Sequence, residues 1–455
     1  MPIDLSPIYS QGDILTAHYG SPVISRGNTI FVPVKVGAYD GFRVEARNGA
    51  TGALIYTLDT DYSIATGSSW MPSFGPALGR DKLYVPAAGG TILARKNPDA
   101  TGIGPVKYSF VGPDAYNSAH QLYDETVKIC TPLTVDGKDN VWFGYRTYGD
   151  AADETPIGKA AILSGIARID AQGNGAWRSA KAIAKDADAV RIQFQCAPAV
   201  SDNDSIVYFS VQLRVGGGYL VGLDTKTLET KYRARLLDPV TGNDAIISSQ
   251  SSASPMIAPD GDVYFGILSN PQAEHNHRGY LLHFDKTLST QKLIGGFGWD
   301  NTPSLVPAAA IPGFKGSPYL ILSKYNNYAG FGDGINRVAL LDPLNSTTDP
   351  ISSATVMNEL ATVAGPMEDP AWASPDYPSA TYEWCINAAA VDPYTHCAMV
   401  NSEDGRLYRW DFTRNALTQG ILLEGPRGQA YTPTIIGPTG ITYAINNAKL
   451  FAVGQ

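Results

Sequence analysis

The same three-strand phrase returns eight times along this 455-residue chain, and that repeat limits the fold more tightly than any single residue does. Each copy opens on a short apolar run around an anchor, makes a tight polar turn, and gives an aromatic-rich strand. A variable loop and another apolar strand, often ending in Asp, follow. Pro22, Pro76, Pro132, Pro198, Pro255, Pro303 and Pro433 are the anchors, with Asn387 in that place in the seventh copy. Val141-Trp142-Phe143, Val207-Tyr208-Phe209 and Val263-Tyr264-Phe265 typify the second strands. Copies spaced roughly 45 to 85 residues apart, all strands and turns, read as a propeller. One such sheet cannot bury both its faces alone, so the copies must stack into one cooperative unit. The expectation is an all-β fold: an eight-bladed β-propeller of four-stranded antiparallel blades, one domain over 1–455, closed by its N-terminal strand. The blades fall near 20–60, 71–112, 127–185, 192–238, 252–298, 300–365, 383–424 and 429–455, the last completed by 10–18. Pairing of Ile14–His18 with Leu450–Val453 would remove the last free sheet edge.

Composition narrows the function classes. A hydrophobic fraction of 44% is ample for a core between blades, while a net charge of −9 with no basic run argues against nucleic acid as a partner. No apolar stretch reaches the roughly 18 residues that a transmembrane helix needs. Met1–Asp13 lacks the basic and apolar regions of a signal peptide. A charged fraction of only 17%, with 46 glycines and 25 tyrosines, favours a periplasmic or secreted location over the alternative, a cytoplasmic one. The cysteines, Cys130, Cys196, Cys385 and Cys397, match no zinc or C-x-x-C redox spacing.

The linkers are unequal. Turns such as Asp136–Asn140 and Asp224–Leu228 are brief, polar and gathered on one face. Longer loops, Arg146–Leu163, Asn270–Gly279 and Lys324–Gly334, with the inter-blade segments Gly112–Lys128 and Thr347–Glu383, belong to the other, which is the expected working face. Three groups of candidates stand there. Residues two before the anchors ring the channel mouth, among them Cys130, Cys196, Asn301, Cys385 and Tyr431. Histidines His18, His120, His275 and His277 lie on the loops, and His275-x-His277 offers two imidazoles for proton transfer. A polar and aromatic group, Trp299, Asn301, Tyr325, Asn326, Tyr328, Glu383, Trp384, Arg427 and Tyr431, suits a sugar, a phenolic ring or a peptide.

The proline-led strand, Val-Tyr-Phe-Gly and Leu-Asp-x-x-Thr together resemble the repeat of the pyrroloquinoline-quinone-like propeller family. Ser254–Asp285 and Ala197–Thr227 carry it well, and Ala46–Leu54 is similar to the family's L-D-x-x-T-G-x-L ending. The resemblance implies the propeller, and it includes quinone-dependent dehydrogenases and assembly scaffolds. Those dehydrogenases set two adjacent cysteines against the cofactor, and no two cysteines are adjacent here. The expectation is therefore no quinone cofactor and no metal.

The sequence points to a ligand-binding or scaffold propeller that takes a small molecule or extended polymer at the channel mouth, with room for a protein partner on the long-loop face. The alternative is a hydrolase, lyase or isomerase at the same mouth. There Glu383, His275 or His277 would move protons and Arg427 would neutralise developing charge.

Overall fold

The computed structural model describes residues 3–4, 10–11, 14–15, 20–35, 41–64, 73–148, 162–247, 253–327, 332–384, 388–425 and 432–454. Eight antiparallel sheets follow one another in chain order, one for each copy of the repeat. Blade one shows the plan: Val23–Ile24 is innermost, then Thr29–Lys35, Phe42–Asn48 and, outermost, Leu54–Asp59. In blade five the fourth position is held by two bridges, Leu281 with Gly295 and Phe284 with Gln291.

Second strands carry most of the burial because they are covered by a neighbouring blade on each face. Val141–Thr147 and Tyr319–Tyr325 are buried along their whole length. Between blades one and two, Phe42, Tyr62 and Phe74 form a triangle with ring centroids 4.8 to 5.5 Å apart. Such aromatic contacts add about 0.5–1.5 kcal/mol each beyond the area they bury.

The recurring Asp after the third strand is a turn device. Asp224 accepts from the Lys226 and Thr227 amides, and Asp285 from the amides of Thr287, Ser289 and Thr290. Asn48 does the same for Ala50 and Thr51 in blade one. These bonds hold Asp285 down at about 2 against the opposing effect of burial, and fold the chain back into its outer strand. The same turns demand one left-handed residue: Gly52 (φ 72°), Leu228 (φ 59°) and Leu288 (φ 56°). Glycine meets that demand without strain. Both leucines are buried, so side-chain burial offsets their strain.

The ring closes through the amino terminus, with a change in which segment does it. Ile3–Asp4 pairs with Lys449–Leu450 as the outermost strand of blade eight. The expected closing segment is displaced: Ile14–Leu15 pairs with Ser10–Gln11 in a hairpin of its own. Gly12-Asp13 between the two strands is turn-forming sequence, which favours this local pairing over the distant edge.

Candidate functional site

On the long-loop face, blades six to eight bring an unusual density of polar groups to the channel mouth. Lys324 is the penultimate residue of the second strand of blade six, deeply buried, with its ammonium 3.7 Å from Asp300. Glu383 leads into blade seven, and its carbonyl accepts the Glu403 amide at 3.1 Å, so these two acidic residues share one corner. Burial foremost, then the charges of Glu403, Asp369 and Asp300, push the Glu383 carboxyl up to about 8, with Lys324 pulling the other way. This environment favours the neutral, protonated form of the carboxyl.

Next to it lies a neutral cluster. Asn401 and Asn446 close the second strands of blades seven and eight, and Thr432 and Thr434 flank the Pro433 anchor. All four are at least 95% buried. Asn401 Nδ2 donates to the Ile445 carbonyl at 3.3 Å, which ties the two blades together. Asn401 Oδ1, both amide atoms of Asn446 and the hydroxyls of Thr432 and Thr434 have no hydrogen-bond partner among the described residues. Buried polar atoms are nearly always satisfied, and each one left unpaired costs about 1–3 kcal/mol. Five such atoms stand at the step between blades seven and eight.

The structure gathers only part of the candidate set. Glu383 stands at the entry to blade seven, and the buried Asn301 amide is spent on Ser323 Oγ at 2.9 Å. Trp299 is half-buried beside it, its amide bound to the Arg278 carbonyl. Three residues expected at the mouth are structural instead. Tyr325 is buried between blades five and six under the Arg278 guanidinium, 4.0 Å from its ring, because the strand alternation turns it away from the channel. Trp384 is fully buried against Tyr408, with its indole donating to the Asn336 carbonyl. Asn326 is consumed in clamping it, donating to the Trp384 carbonyl and accepting from the Trp384 amide at 3.0 Å each.

The histidine loop is likewise no free pair of imidazoles. Glu274–His277 forms a short 3-10 turn, and His275 is buried against Tyr280, one ring nitrogen 2.9 Å from the Gly279 carbonyl and the other 3.0 Å from Asp349. Both ring nitrogens are engaged, so His275 locks blade five to the Asp349 turn of blade six. His277 is only half-buried. His120 is exposed at the start of a short helix. Cys130 and Cys196 are buried thiols on neighbouring blades, and burial pushes Cys196 up to about 12, the opposite of an activated thiolate. His18, Tyr328, Cys385, Arg427 and Tyr431 lie outside the described residues.

Sequence reasoning missed Asn401, Asn446, Thr432, Thr434 and Glu403, and read Lys324 only as the start of a long loop. The signal was present: both asparagines end the apolar run of a second strand. A cavity of about 980 Å³ opens on the short-turn face, over blades one to three, lined by Ser25, Arg80, Asp99 and Asp139 among others. Its polar groups are largely paired within the turns: Ser25 Oγ donates to Asp99, and Asp139 accepts the Arg80 amide.

No family model matches the sequence, and no curated protein does. Among solved structures the chain is similar to a europium-containing methanol dehydrogenase, at 10% identity and a TM-score of 0.57, over 97% of this chain and 83% of that one. It is also similar to a quinohemoprotein alcohol dehydrogenase from Comamonas testosteroni, at 11% identity and a TM-score of 0.50, over 94% and 70%. At such identities the likeness shows the fold, a β-propeller, and not a reaction. Among the described residues no helix is long and apolar enough to cross a membrane, and no three His, Cys, Asp or Glu side chains are grouped to hold a metal.

Proposed function

We propose that this chain is a ligand-binding propeller whose site is the channel mouth over blades six to eight, and that it takes a neutral, hydroxyl-rich ligand such as a sugar or a segment of a glycan. The observation that carries this reading is the set of five unpartnered polar atoms on Asn401, Thr432, Thr434 and Asn446. Amides and hydroxyls of this kind donate and accept in equal measure, as do the hydroxyls of a sugar. A protonated Glu383 adds a neutral donor at the edge of the cluster and avoids the desolvation penalty of a carboxylate. The low charge and high glycine and tyrosine content support a periplasmic or secreted setting.

The test is a thermal-shift panel of neutral saccharides, phenols and short peptides on the full chain, followed by titration calorimetry on the best of them. A saccharide should raise the melting temperature saturably. Asn446→Ala should weaken it by about tenfold or more, the worth of one or two buried hydrogen bonds. A ligand whose affinity ignores Asn446→Ala and Asn401→Ala would place binding elsewhere.

One observation favours a second reading, an acid-catalysed hydrolase or lyase at the same mouth. A carboxyl held near 8 keeps its proton at neutral pH and is matched to general-acid work. In that case Glu383→Gln would leave saccharide affinity nearly intact and slow turnover about a hundredfold or more. A binding protein would show no turnover to lose.

A further inference from the structure

Across the ring from that mouth, a buried cation stands without a counter-charge among the described residues. Arg146 lies near the end of the second strand of blade three and is only 8% exposed. Its guanidinium carbon sits 5.1 Å from the centre of the Phe194 ring, which belongs to the inner segment of blade four. It makes no ion pair among the described residues, and its Nε and Nη2 have no hydrogen-bond partner there. Those two nitrogens share one edge of the guanidinium, and their N–H groups point the same way. A carboxylate or phosphate takes that edge side-on with two parallel hydrogen bonds.

A second donor from the next blade is also unspent. Gln193, adjacent to Phe194, is fully buried; its Oε1 accepts Ser210 Oγ at 2.6 Å, while its Nε2 has no partner among the described residues. The Ser210 bond fixes the amide orientation, so Nε2 must be the end that faces away. Directly opposite Arg146 in the ladder stands another cation, Lys128, whose ammonium is bound to Ser63 Oγ and the Asp124 carbonyl. A buried guanidinium facing a like charge is unfavourable, and an oxyanion on that unpartnered edge would offset the cost.

We propose that the step between blades three and four holds a site for a compact oxyanion, a carboxylate or phosphate group, gripped by Arg146 Nε and Nη2 with Gln193 Nε2 as a third donor and Phe194 as the floor. The ligand is a small molecule or an end group bearing one such anion. It stands on residues separate from the saccharide mouth, so either site can fail without the other.

The experiment is thermal denaturation of the full chain in chloride, acetate and inorganic phosphate at matched ionic strength, with concentration series of each. Acetate or phosphate should raise the melting temperature saturably above chloride, and the tighter of the two tells whether a planar or a tetrahedral anion fits. Arg146→Lys keeps the charge but loses the paired edge, and should abolish the specific shift. Gln193→Leu should weaken it about tenfold, and it decides the matter if Arg146→Lys does not fold. Identical behaviour in all three salts, or an undiminished shift in Gln193→Leu and Arg146→Lys, would overturn the proposal.

Discussion

The protonated state of Glu383 gives a stability signature that needs no ligand. Its carboxyl rises from 4.5 to about 8 through burial and then through the charges of Glu403, Asp369 and Asp300. The folded protein thus holds this proton more tightly than the unfolded chain does. Stability drawn from it is complete below about pH 4.5 and is lost as pH climbs towards 8. At about 1.36 kcal/mol per pH unit the loss is on the order of 3–5 kcal/mol. With an unfolding entropy of about 2.1 cal/mol/K per residue over the whole chain, that is a fall of about 3–5 °C in melting temperature. Glu383→Gln, neutral at every pH, removes the dependence. The assay is melting of wild type and Glu383→Gln from pH 5 to 8.5; taking the difference cancels the other titrating groups, such as Glu359 and Asp404, which burial also pushes up. The variant should gain on the wild type by about 3–5 °C across that range. A difference that stays constant with pH, or moves the other way, would refute the assigned environment of Glu383.

Other expectations follow from individual contacts. Burial works to raise Asp349, but the hydrogen bond and charge of His275 hold it well below the usual carboxylate range, so its contribution is present above pH 4 and lost in acid. Asp349→Ala should cost about 3–5 kcal/mol in urea unfolding at pH 7, because it strands a buried imidazole. Cys130, Cys196 and Cys397, all buried, should resist alkylation in the native protein and label only in denaturant, as read by peptide mass mapping. Removing residues 1–9 takes away the Ile3–Asp4 strand that closes blade eight, and should lower the melting temperature and promote aggregation seen by light scattering.

The propeller was legible because its grammar is local. Anchors, alternating strands and Asp-led turns each fit within a dozen residues, and the structure has a sheet for every copy. Ring closure was harder. Pairing Ile3 with Leu450 joins the two ends of the chain, and no local pattern separates Ile3–Asp4 from Ile14–Leu15 as the partner. At the mouth, Glu383 was readable as an acid beside an anchor, and the structure adds the Glu403 and Lys324 that shift it. Tyr325, Trp384 and His275 were misplaced for one reason: an aromatic or imidazole group on a loop flank reads the same whether it turns to the channel or wedges between blades. Asn401 and Asn446 were overlooked because a single polar residue at a strand end is ordinary in sequence. Only the fold brings two of them, with Thr432 and Thr434, to one buried step.

The central claim, that blades seven and eight hold a polar ligand at the channel mouth, is tested most directly by a crystal structure soaked with the saccharide that gives the largest melting shift. The account predicts density within hydrogen-bonding distance of Asn401 Oδ1, the Asn446 amide and the hydroxyls of Thr432 and Thr434, with Glu383 at its edge. Density for the saccharide in the short-turn cavity lined by Ser25 and Arg80, with those five atoms bound only to ordered water, would contradict it.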